Sequence, residues 1–468
     1  MFIADLPSFL ADEGCQGVPL HDTWVRVLLY ADDGALTASS AADLQRMLDA
    51  LWQYCRRWRM IVNVKKTEIV VFNRKKLSVR EYRFNYNNET ITIVEKFKYL
   101  GVMFHEKRKY AISIEYRLSQ AKRLIAAWVR RCRIWLFKPD VVVNQFMTCI
   151  LPALEYGVAL WGVGKRWGEI GAWKDLESFW YMVARTIINA PLRSPSEGVF
   201  GELGWYPYAV RAGWQAASFW TRVSGMSKSS LTWKAMYVQR GLLDRNKRCW
   251  LNILRDTLKT TQSGYLYWNK WWNSDDFMDQ TCLCKRYDIE FVNNKVVIRM
   301  IPWETDIYED LKRNAANSWL IDINREEAKR GRPGKNKLRT YATFKTDWGY
   351  ESYLSIIEDG RKRNLLTKLR IGVCPLRIES GRFEGGKYLP SDLRLCLCCN
   401  SQHVEDEFHF IMECPVYENL RSILFQDIEI EDVSFHHILS DIKRAFVYLM
   451  SSKHRDNYCS SCFCLGSF

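Results

Sequence analysis

The spacing of apolar residues divides the first hundred positions into short strands and one helix. Residues 25–39, VRVLLYADDGALTAS, place two adjacent aspartates between two apolar runs, which indicates two strands joined by a tight turn. Residues 61–72, IVNVKKTEIVVF, are typical of a strand, and residues 82–104 alternate around Asn87-Asn88 as a hairpin does. Residues 41–60 repeat apolar residues at helical spacing. The apolar face of this helix would comprise Leu44, Met47, Leu48, Leu51, Cys55 and Trp58. Together these patterns predict an α+β module.

Beyond about residue 112 the pattern becomes helical. An apolar stripe from Leu118 to Leu136 predicts a long helix whose remaining surface is basic. Residues 141–162 are the most apolar segment, but polar residues and Pro152 interrupt them. We therefore expect a helix, a turn and a helix there, and no membrane-spanning segment. Residues 170–325 are predicted to be mostly helical, with tryptophans that serve packing.

Composition narrows the classes of partner. The 468-residue chain has a net charge of +15, and 48% of its residues are hydrophobic, which excludes general disorder. The positive charge favours a polyanionic partner such as nucleic acid, although solubility or an anionic membrane would also explain it. The first residues, MFIADLPSFLADEG, lack the basic start of a secretion signal. The fifteen cysteines are therefore expected to be thiols, with metal binding as their candidate use.

The adjacent aspartates are the first candidate site. A bend between two strands can present the carboxylates of Asp32 and Asp33 at one edge, and carboxylate oxygens are suitable ligands for Mg²⁺. Paired magnesium ions serve phosphoryl transfer. The alternative is an ordinary Asp-Asp turn without chemistry.

Cysteine and histidine spacing marks a second candidate site within residues 393–421. Cys396-x2-Cys399 and His409-x4-Cys414 offer three thiolates and one imidazole, a set that selects tetrahedral Zn²⁺ in a closed, structural site. Cys398 and His403 are spare candidates, and buried free cysteines are the alternative. Residues 325–339, REEAKRGRPGKNKLR, are a basic stretch interrupted by Gly and Pro and are the best linker candidate.

Several segments occur in one order: FIADLP at 2–7, LLYADD at 28–33, LQRMLDALWQYCRRW at 44–58, VNVKKTEIVVF at 62–72 and FKYLGV at 97–102. This ordered set resembles the later palm motifs of reverse transcriptases from non-LTR (LINE-type) retrotransposons. The similarity covers residues 1–105 closely, continues more weakly to about 165, and returns over about 338–421 with the Cys/His module. It implies an α+β fold: a partial polymerase palm of antiparallel hairpins plus a helix, then a mostly helical thumb and C-terminal region with a small zinc-binding module.

The resemblance also implies residue roles. Asp32 would be the main ligand of catalytic Mg²⁺, Asp33 a supporting carboxylate, and Tyr30 a neighbour of the template-primer or nucleotide. Lys66, in the NVKKT motif, would stabilise pyrophosphate, and Tyr99, Leu100 and Gly101 would grip the primer strand. Lys122, Arg123 and Arg130 would contact phosphates of the product duplex, and Cys396, Cys399, His409 and Cys414 would hold structural Zn²⁺. The alternatives are a solvated strand-end lysine for Lys66, a simple turn glycine for Gly101, and a solvated basic helix face for Lys122, Arg123 and Arg130.

The expected domain order combines these observations. It comprises 1–105 (partial reverse transcriptase palm), 106–165 (thumb-like helical region), 166–324 (helical connecting region), 325–345 (basic linker), 346–450 (C-terminal CCHC zinc module) and 451–468 (tail). The family's further palm aspartate and its fingers match nothing here, and Asp5 does not replace that aspartate. We therefore expect an N-terminally incomplete polymerase with little independent activity.

The leading hypothesis is an RNA-directed DNA polymerase of a LINE-type retrotransposon. Its partners would be an RNA template, a DNA primer or target and dNTPs, and it would not bind a membrane. It would act in the nucleus, with the cytoplasm as a second compartment. The alternatives are a non-catalytic RNA- or DNA-binding protein that retains thumb and zinc module, and a zinc-stabilised scaffold for protein partners. Basic residues that could contact phosphates in the C-terminal region are Arg361, Lys362, Arg363, Lys368, Arg370, Arg377 and Arg382.

Overall fold

The computed structural model describes residues 3–72, 82–107, 110–132, 137–161, 170–245, 247, 249–273, 285–292, 295–325, 336–431 and 441–451. The predicted tail, from residue 452 onward, and residues 326–335 of the predicted linker lie outside this part. The fold is α+β, with helices and short antiparallel hairpins, which confirms the predicted class. The predicted domain boundaries remain predictions.

Thirteen short strands occur in the described residues. They are β1 (Val18–Leu20), β2 (Thr23–Val25), β3 (Val27–Tyr30), β4 (Asp33–Leu36), β5 (Glu68–Ile69), β6 (Phe84–Tyr86), β7 (Glu89–Ile93), β8 (Lys96–Tyr99), β9 (Val102–His105), β10 (Lys285–Val292), β11 (Lys295–Pro302), β12 (Phe383–Glu384) and β13 (Lys387–Tyr388). Antiparallel pairs join β1 to β2, β3 to β4, β8 to β9, β10 to β11 and β12 to β13. In the sheet β5-β7-β6, β5 pairs with β7 in parallel and β6 pairs with β7 antiparallel.

The α-helices of the described residues precede, separate and follow these strands. They are α1 (Leu6–Asp12), α2 (Ala41–Arg57), α3 (Ala111–Cys132), α4 (Pro139–Gln145), α5 (Leu151–Glu155), α6 (Val158–Trp161), α7 (Ile170–Ile187), α8 (Ser196–Leu203), α9 (Tyr208–Ser224), α10 (Leu231–Asp244), α11 (Trp250–Leu258), α12 (Gln262–Asn273), α13 (Trp303–Ile323), α14 (Tyr341–Phe344), α15 (Tyr353–Ile356), α16 (Gly360–Arg370), α17 (Arg377–Ser380), α18 (Glu418–Glu431) and α19 (Ile442–Met450). No helix in the described residues is long and apolar enough to cross a membrane.

The chain divides into two compact units built from interleaved segments. The first unit comprises Met1–Arg117, Gly157–Trp173 and Ala212–Tyr308, and the second comprises Leu118–Tyr156, Lys174–Arg211 and Glu309–Phe468. The first unit therefore contains the hairpins of the N-terminal region, and the second contains the cysteine- and histidine-rich region.

Helix α2 forms the core of the N-terminal region. Ser40 caps its first turn by accepting a hydrogen bond from the Asp43 amide, and Met47 and Tyr54 are almost fully buried. The carboxylate of Asp43 is buried and accepts hydrogen bonds from the amides of Gln16 and Gly17 at 2.9 and 2.8 Å. Asp43, which lies outside the predicted apolar face, thus anchors the preceding loop.

Two predicted elements differ from the structure. Trp58, expected on the buried face, follows the end of α2 and is 45% exposed. Residues 61–67 do not form a strand, because Asn63 accepts the Lys66 amide and Val64–Lys66 close into a 3₁₀ turn before β5. The Asx side chain competes locally with strand pairing.

The region 170–325 is mostly helical, as predicted, but it also contains the hairpin of β10 and β11. Eight residues of each strand pair in register, from Lys285 with Pro302 to Val292 with Lys295. Period-two alternation of Tyr287, Ile289 and Phe291 before Asn293-Asn294, and the mostly apolar run after it, are the sequence signals for this hairpin.

A network of buried charged groups connects distant segments of the second unit. The guanidinium of Arg370, 1% exposed, donates to both carboxylate oxygens of Glu202 at 3.0–3.2 Å and to Glu351 at 2.6 Å. Lys345 completes the network by pairing with Glu351. Residues 336–345, assigned to the linker, are packed into this unit, with Leu338 and Tyr341 buried.

Candidate catalytic hairpin and candidate metal centre

The two adjacent aspartates lie at the tip of the β3–β4 hairpin. Tyr30 and Asp33 are register partners, so Ala31 and Asp32 form the connecting two-residue turn. Ala31 has a φ of 53°, in the left-handed region that such a turn requires. Both aspartates and Tyr30 are exposed. The predicted tight turn is present, and it presents both carboxylates to solvent at one end of a hairpin.

A second hairpin packs beside the first one. The hydroxyl of Tyr99 donates a hydrogen bond to the carbonyl oxygen of Leu28 at 3.4 Å. Burial and the nearby Asp33 carboxylate raise the pKa of Tyr99. These relationships place Tyr99 close to the aspartate turn. The sequence resemblance grouped these residues, and the tertiary structure brings them together.

The tip of this second hairpin has a strained backbone. Leu100 and Gly101, which connect β8 to β9, have φ values of 45° and 79°. The guanidinium of Arg117 donates a hydrogen bond to the carbonyl oxygen of Gly101, and the Ser113 hydroxyl donates to that of Met103 at 2.8 Å. Sequence reasoning did not predict this contact of Arg117. The structure shows that it secures the hairpin tip.

Lys66 lies at the end of the 3₁₀ turn that Asn63 organises. Its amide donates to the Asn63 side chain at 3.3 Å, and the Thr67 hydroxyl donates to the Asn63 carbonyl at 3.0 Å. The ammonium group is exposed. Among the described residues no ion pair joins Lys66 to Asp32 or Asp33. The Lys66 ammonium group is therefore accessible to a phosphate.

The hairpin tip fits part of a magnesium site. Asp32 and Asp33 supply oxygen ligands of the type that Mg²⁺ prefers, with water and substrate phosphates as its usual remaining ligands. Within the described residues, neither aspartate belongs to a group of three clustered metal-ligating side chains. Asp5 accepts a hydrogen bond from Tyr54 instead. These two carboxylates therefore need ligands beyond the described side chains.

Helix α3 carries the predicted basic face. Lys122, Arg123 and Arg130 are exposed, whereas Leu118 and Ile125 on the opposite face are buried. The helix confirms the predicted amphipathic pattern over its described part, and residues 133–136 lie outside that part. The three side chains are accessible for phosphate contacts.

The predicted zinc ligands converge in the second unit. The ligand atoms of Cys396, Cys399, His409 and Cys414 all lie within 4.8 Å of one another. A bridge between Leu395 and Val404 and a 2.9 Å hydrogen bond from the Cys396 amide to the His403 carbonyl close the thiol-bearing turn. Tertiary contact thus joins two ligand pairs that lie apart in the sequence.

The thiols of this cluster have pKa shifts of opposite direction. The Ser401 hydroxyl, the Ser401 backbone and His409 lower the pKa of Cys399 to about 6, whereas burial raises the pKa of Cys396 to about 12. Nε2 of His409 lies 3.4 Å from the Cys399 sulfur, and Nδ1 lies 3.4 Å from a Glu413 oxygen. A carboxylate on the second ring nitrogen is the usual way to orient a metal-bound imidazole. Sequence reasoning missed Glu413.

The spare candidates lie next to the same cluster. Cys398 is exposed and forms a ligand-like group with Cys396 and Glu405. His403 forms another group with His409 and Glu413. The set of Cys396, Cys399, His409 and Cys414 supplies the three thiols and one imidazole that suit tetrahedral zinc. All four residues are more buried than Cys398 or His403.

Two basic residues that were expected to contact phosphates instead pair with groups inside the protein. Arg370 belongs to the buried network with Glu202, and Arg363, 6% exposed, donates to the carbonyl oxygens of Ile357 and Phe137 at 2.7 and 3.0 Å. Buried guanidinium groups that serve folding cannot reach a phosphate, so this expectation was wrong for both.

Comparisons with known proteins agree with the N-terminal geometry. Residues 11–104 match the family model described as reverse transcriptase (RNA-dependent DNA polymerase). An RNA-directed DNA polymerase from mobile element jockey of Drosophila funebris is 27% identical over 180 residues, 36% of this chain and 18% of that protein. A probable RNA-directed DNA polymerase from transposon BS of Drosophila melanogaster is 29% identical over 155 residues, 29% of this chain and 16% of that protein. No solved structure gives a significant match.

The matched region of the chain contains both hairpins and the Asn63 turn. The alignments span less than a fifth of the length of these relatives. Within that extent, the chain carries reverse transcriptase sequence of the type found in non-LTR retrotransposons.

Proposed function

We propose that this chain serves RNA-directed DNA synthesis for a LINE-type element, with Asp32 and Asp33 as magnesium ligands. The observation that supports this proposal is the exposed aspartate turn beside the Tyr99 hairpin, within the segment that matches reverse transcriptases. An RNA template, a DNA primer or target and dNTPs are the partners that this function requires.

Bound Mg²⁺ would activate the primer hydroxyl and neutralise charge on the departing pyrophosphate. Asp32 and Asp33 would hold the ion at a turn open to large substrates. Tyr30, 64% exposed, would lie beside the template-primer or nucleotide. Lys66 would stabilise pyrophosphate through its ammonium charge.

The second hairpin and the basic helix would position nucleic acid. The tip formed by Leu100 and Gly101, secured by Arg117, would support the primer strand together with Tyr99. Lys122, Arg123 and Arg130 would contact duplex phosphates, where each neutralised phosphate releases counterions.

We further propose that Cys396, Cys399, His409 and Cys414 hold a structural zinc ion. The four side chains supply a complete tetrahedral ligand set, which leaves no coordination position for substrate. Zinc would then stabilise the module that contains the 393–421 segment.

A non-catalytic RNA- or DNA-binding protein is the second candidate. It is favoured by one observation: within the described residues the Cys/His set is complete, whereas the aspartates lack a third clustered carboxylate. The chain would then bind nucleic acid without extending a primer.

Primer extension on an RNA template with Mg²⁺ and dNTPs separates the two candidates. We expect slow extension by the wild-type chain and none by Asp32→Asn or Asp33→Asn. Extension that survives in both variants would refute the assigned metal ligands. Salt-dependent RNA binding with no wild-type extension above the Asp32→Asn background would support the non-catalytic candidate.

A further inference from the structure

A second group of metal-ligating side chains lies beside the four predicted zinc ligands. The ligand atoms of Cys396, Cys398 and Glu405 all lie within 4.8 Å of one another. This group shares Cys396, and no other residue, with the four-ligand set described above. Cys398 and Glu405 are therefore two further donors next to the Cys396 sulfur that the four-ligand set does not use.

Backbone pairing brings Cys396 and Glu405 together. Leu395 and Val404 form an antiparallel bridge, which backbone hydrogen bonds of 2.9 and 3.1 Å flank on either side. Cys396 and Glu405 come directly after the bridged residues of the two paired segments. Because successive extended residues alternate between faces, both side chains lie on the face opposite Leu395 and Val404. The bend that follows Cys396 carries Cys398.

Each of the two further donors is oriented by a neighbouring group. A carboxylate oxygen of Glu405 accepts a hydrogen bond from the Arg377 amide at 2.9 Å, and the Cys398 sulfur accepts one from the Tyr417 hydroxyl at 3.8 Å. Hydrogen bonds from such outer groups fix the orientation of metal ligands. Among the described residues no basic side chain forms an ion pair with Glu405. The Glu405 carboxylate is therefore available to a bound cation.

This donor set favours a thiophilic divalent ion. Two thiolates and one carboxylate select Zn²⁺ or Cd²⁺ over Mg²⁺ and Ca²⁺, which take oxygen ligands. A thiolate sulfur has lone pairs for two metal ions, so Cys396 can bridge an ion in each group. Three protein ligands leave one tetrahedral position for water, and Cys398 is exposed. An ion in this group would therefore exchange with solvent and be held less tightly than an ion with four protein ligands.

We propose that Cys396, Cys398 and Glu405 form a second, open zinc site that shares the Cys396 sulfur with the closed structural site. Because its bridging sulfur belongs to the structural zinc site proposed above, the second site rests on that proposal. The first zinc ion occupies the four-ligand set and is retained on purification. The second ion binds when metal is supplied, and the two ions then form a sulfur-bridged centre in which only the outer ion exchanges readily with solvent.

Cadmium binding to the full chain, counted by native mass spectrometry, tests the second site. Cys398→Ser and Glu405→Gln should each bind one Cd²⁺ fewer than wild type. Glu405→Gln is the decisive variant, because it leaves all fifteen cysteines in place and its amide oxygen can still accept the hydrogen bond from Arg377. Cys149→Ser, at an exposed thiol outside both ligand groups, is the matched control and should bind the same number of ions as wild type.

An unchanged number of cadmium ions in Glu405→Gln would overturn the second site, even if Cys398→Ser loses an ion, because an exposed thiol alone can bind cadmium. Cys399→Ser separates this failure from failure of the structural site. Loss of an ion in Cys399→Ser without a loss in Glu405→Gln would leave the structural site intact and refute the second one. Thermal unfolding confirms that each variant is folded.

Cobalt binding to the wild-type chain shows whether the two ions share a sulfur, and it keeps the proposal testable if Glu405→Gln does not fold. Two Co²⁺ ions joined by a thiolate couple antiferromagnetically. The electron paramagnetic resonance signal per bound cobalt should therefore fall as a second equivalent binds to wild type, and it should not fall in Glu405→Gln. A wild-type signal that grows in proportion to bound cobalt would overturn the bridging role of Cys396.

Discussion

The hydroxyl of Tyr99 donates a hydrogen bond to the carbonyl oxygen of Leu28, and this bond joins two hairpins through residues that lie 71 positions apart in the chain. Tyr99 is also close enough to Asp33 for that carboxylate to raise its pKa, in addition to the effect of burial. The aspartate turn and the candidate primer-gripping tip are therefore neighbours in one unit.

The pKa of Tyr99 reports this proximity. Replacing Asp33 by Asn removes a negative charge that disfavours the phenolate, so the pKa of Tyr99 should fall, while burial keeps it above the ordinary value. Asp32→Asn is the matched control and should change it less, because Asp33 is the carboxylate that acts on Tyr99. An NMR titration of labelled tyrosine measures both. An unchanged pKa in Asp33→Asn would contradict the arrangement of the hairpins.

The Arg370 network should dominate the stability of the second unit. Arg370→Met leaves the Glu202 carboxylate, fully buried, without its guanidinium, and we expect a loss of about 3–5 kcal/mol in the free energy of unfolding. Adding Glu202→Gln should recover part of that loss. Arg377→Gln breaks a pair with the 61% exposed side chain of Glu384 and should cost less than about 1 kcal/mol. Urea unfolding measures all three variants, and similar losses for Arg370→Met and Arg377→Gln would exclude the proposed difference.

Zinc content should distinguish the main ligands from the spare thiol. Cys399→Ser removes a central ligand, so the purified chain should lose bound zinc and unfold at a lower temperature. Cys398→Ser should keep its zinc because Cys398 is exposed and outside the four-ligand set. Metal analysis by mass spectrometry with thermal unfolding measures both effects. Loss of zinc in Cys398→Ser with retention in Cys399→Ser would reverse the ligand assignment.

The cap of helix α16 predicts a pH dependence. The Asp359 carboxylate accepts hydrogen bonds from the amides of Arg361 and Lys362 at 2.7 and 3.2 Å, and these bonds lower its pKa below the ordinary value. A lowered folded-state pKa means that this contribution is present above the ordinary pKa and is lost as the pH falls through the lowered one. Wild type should therefore be more stable than Asp359→Asn at neutral pH, and acid titration of urea unfolding should show the difference shrinking below the ordinary pKa of an aspartate. A difference that stays constant with pH would show that the charge does not contribute.

Local chemistry accounts for the features that sequence reasoning predicted well. Two-residue turns at Ala31-Asp32 and Asn87-Asn88 follow from short alternating runs, because the pattern and the turn lie within about ten residues. The strand prediction was wrong at Asn63, because its side chain caps a 3₁₀ turn where the apolar pattern favoured a strand. The hairpin of β10 and β11 was missed although its alternation was present in the sequence.

Spacing between near neighbours in the sequence is enough to specify the aspartate turn, the amphipathic helices and the two pairs of metal-binding residues. Which charged side chains are exposed to a ligand depends instead on how the whole chain packs. Arg361 and Arg370 lie in the same helix, α16, yet Arg370 is buried against Glu202, 168 residues away, whereas Arg361 is exposed. Burial and pairing across such distances depend on how the whole chain packs, so no local pattern can specify them.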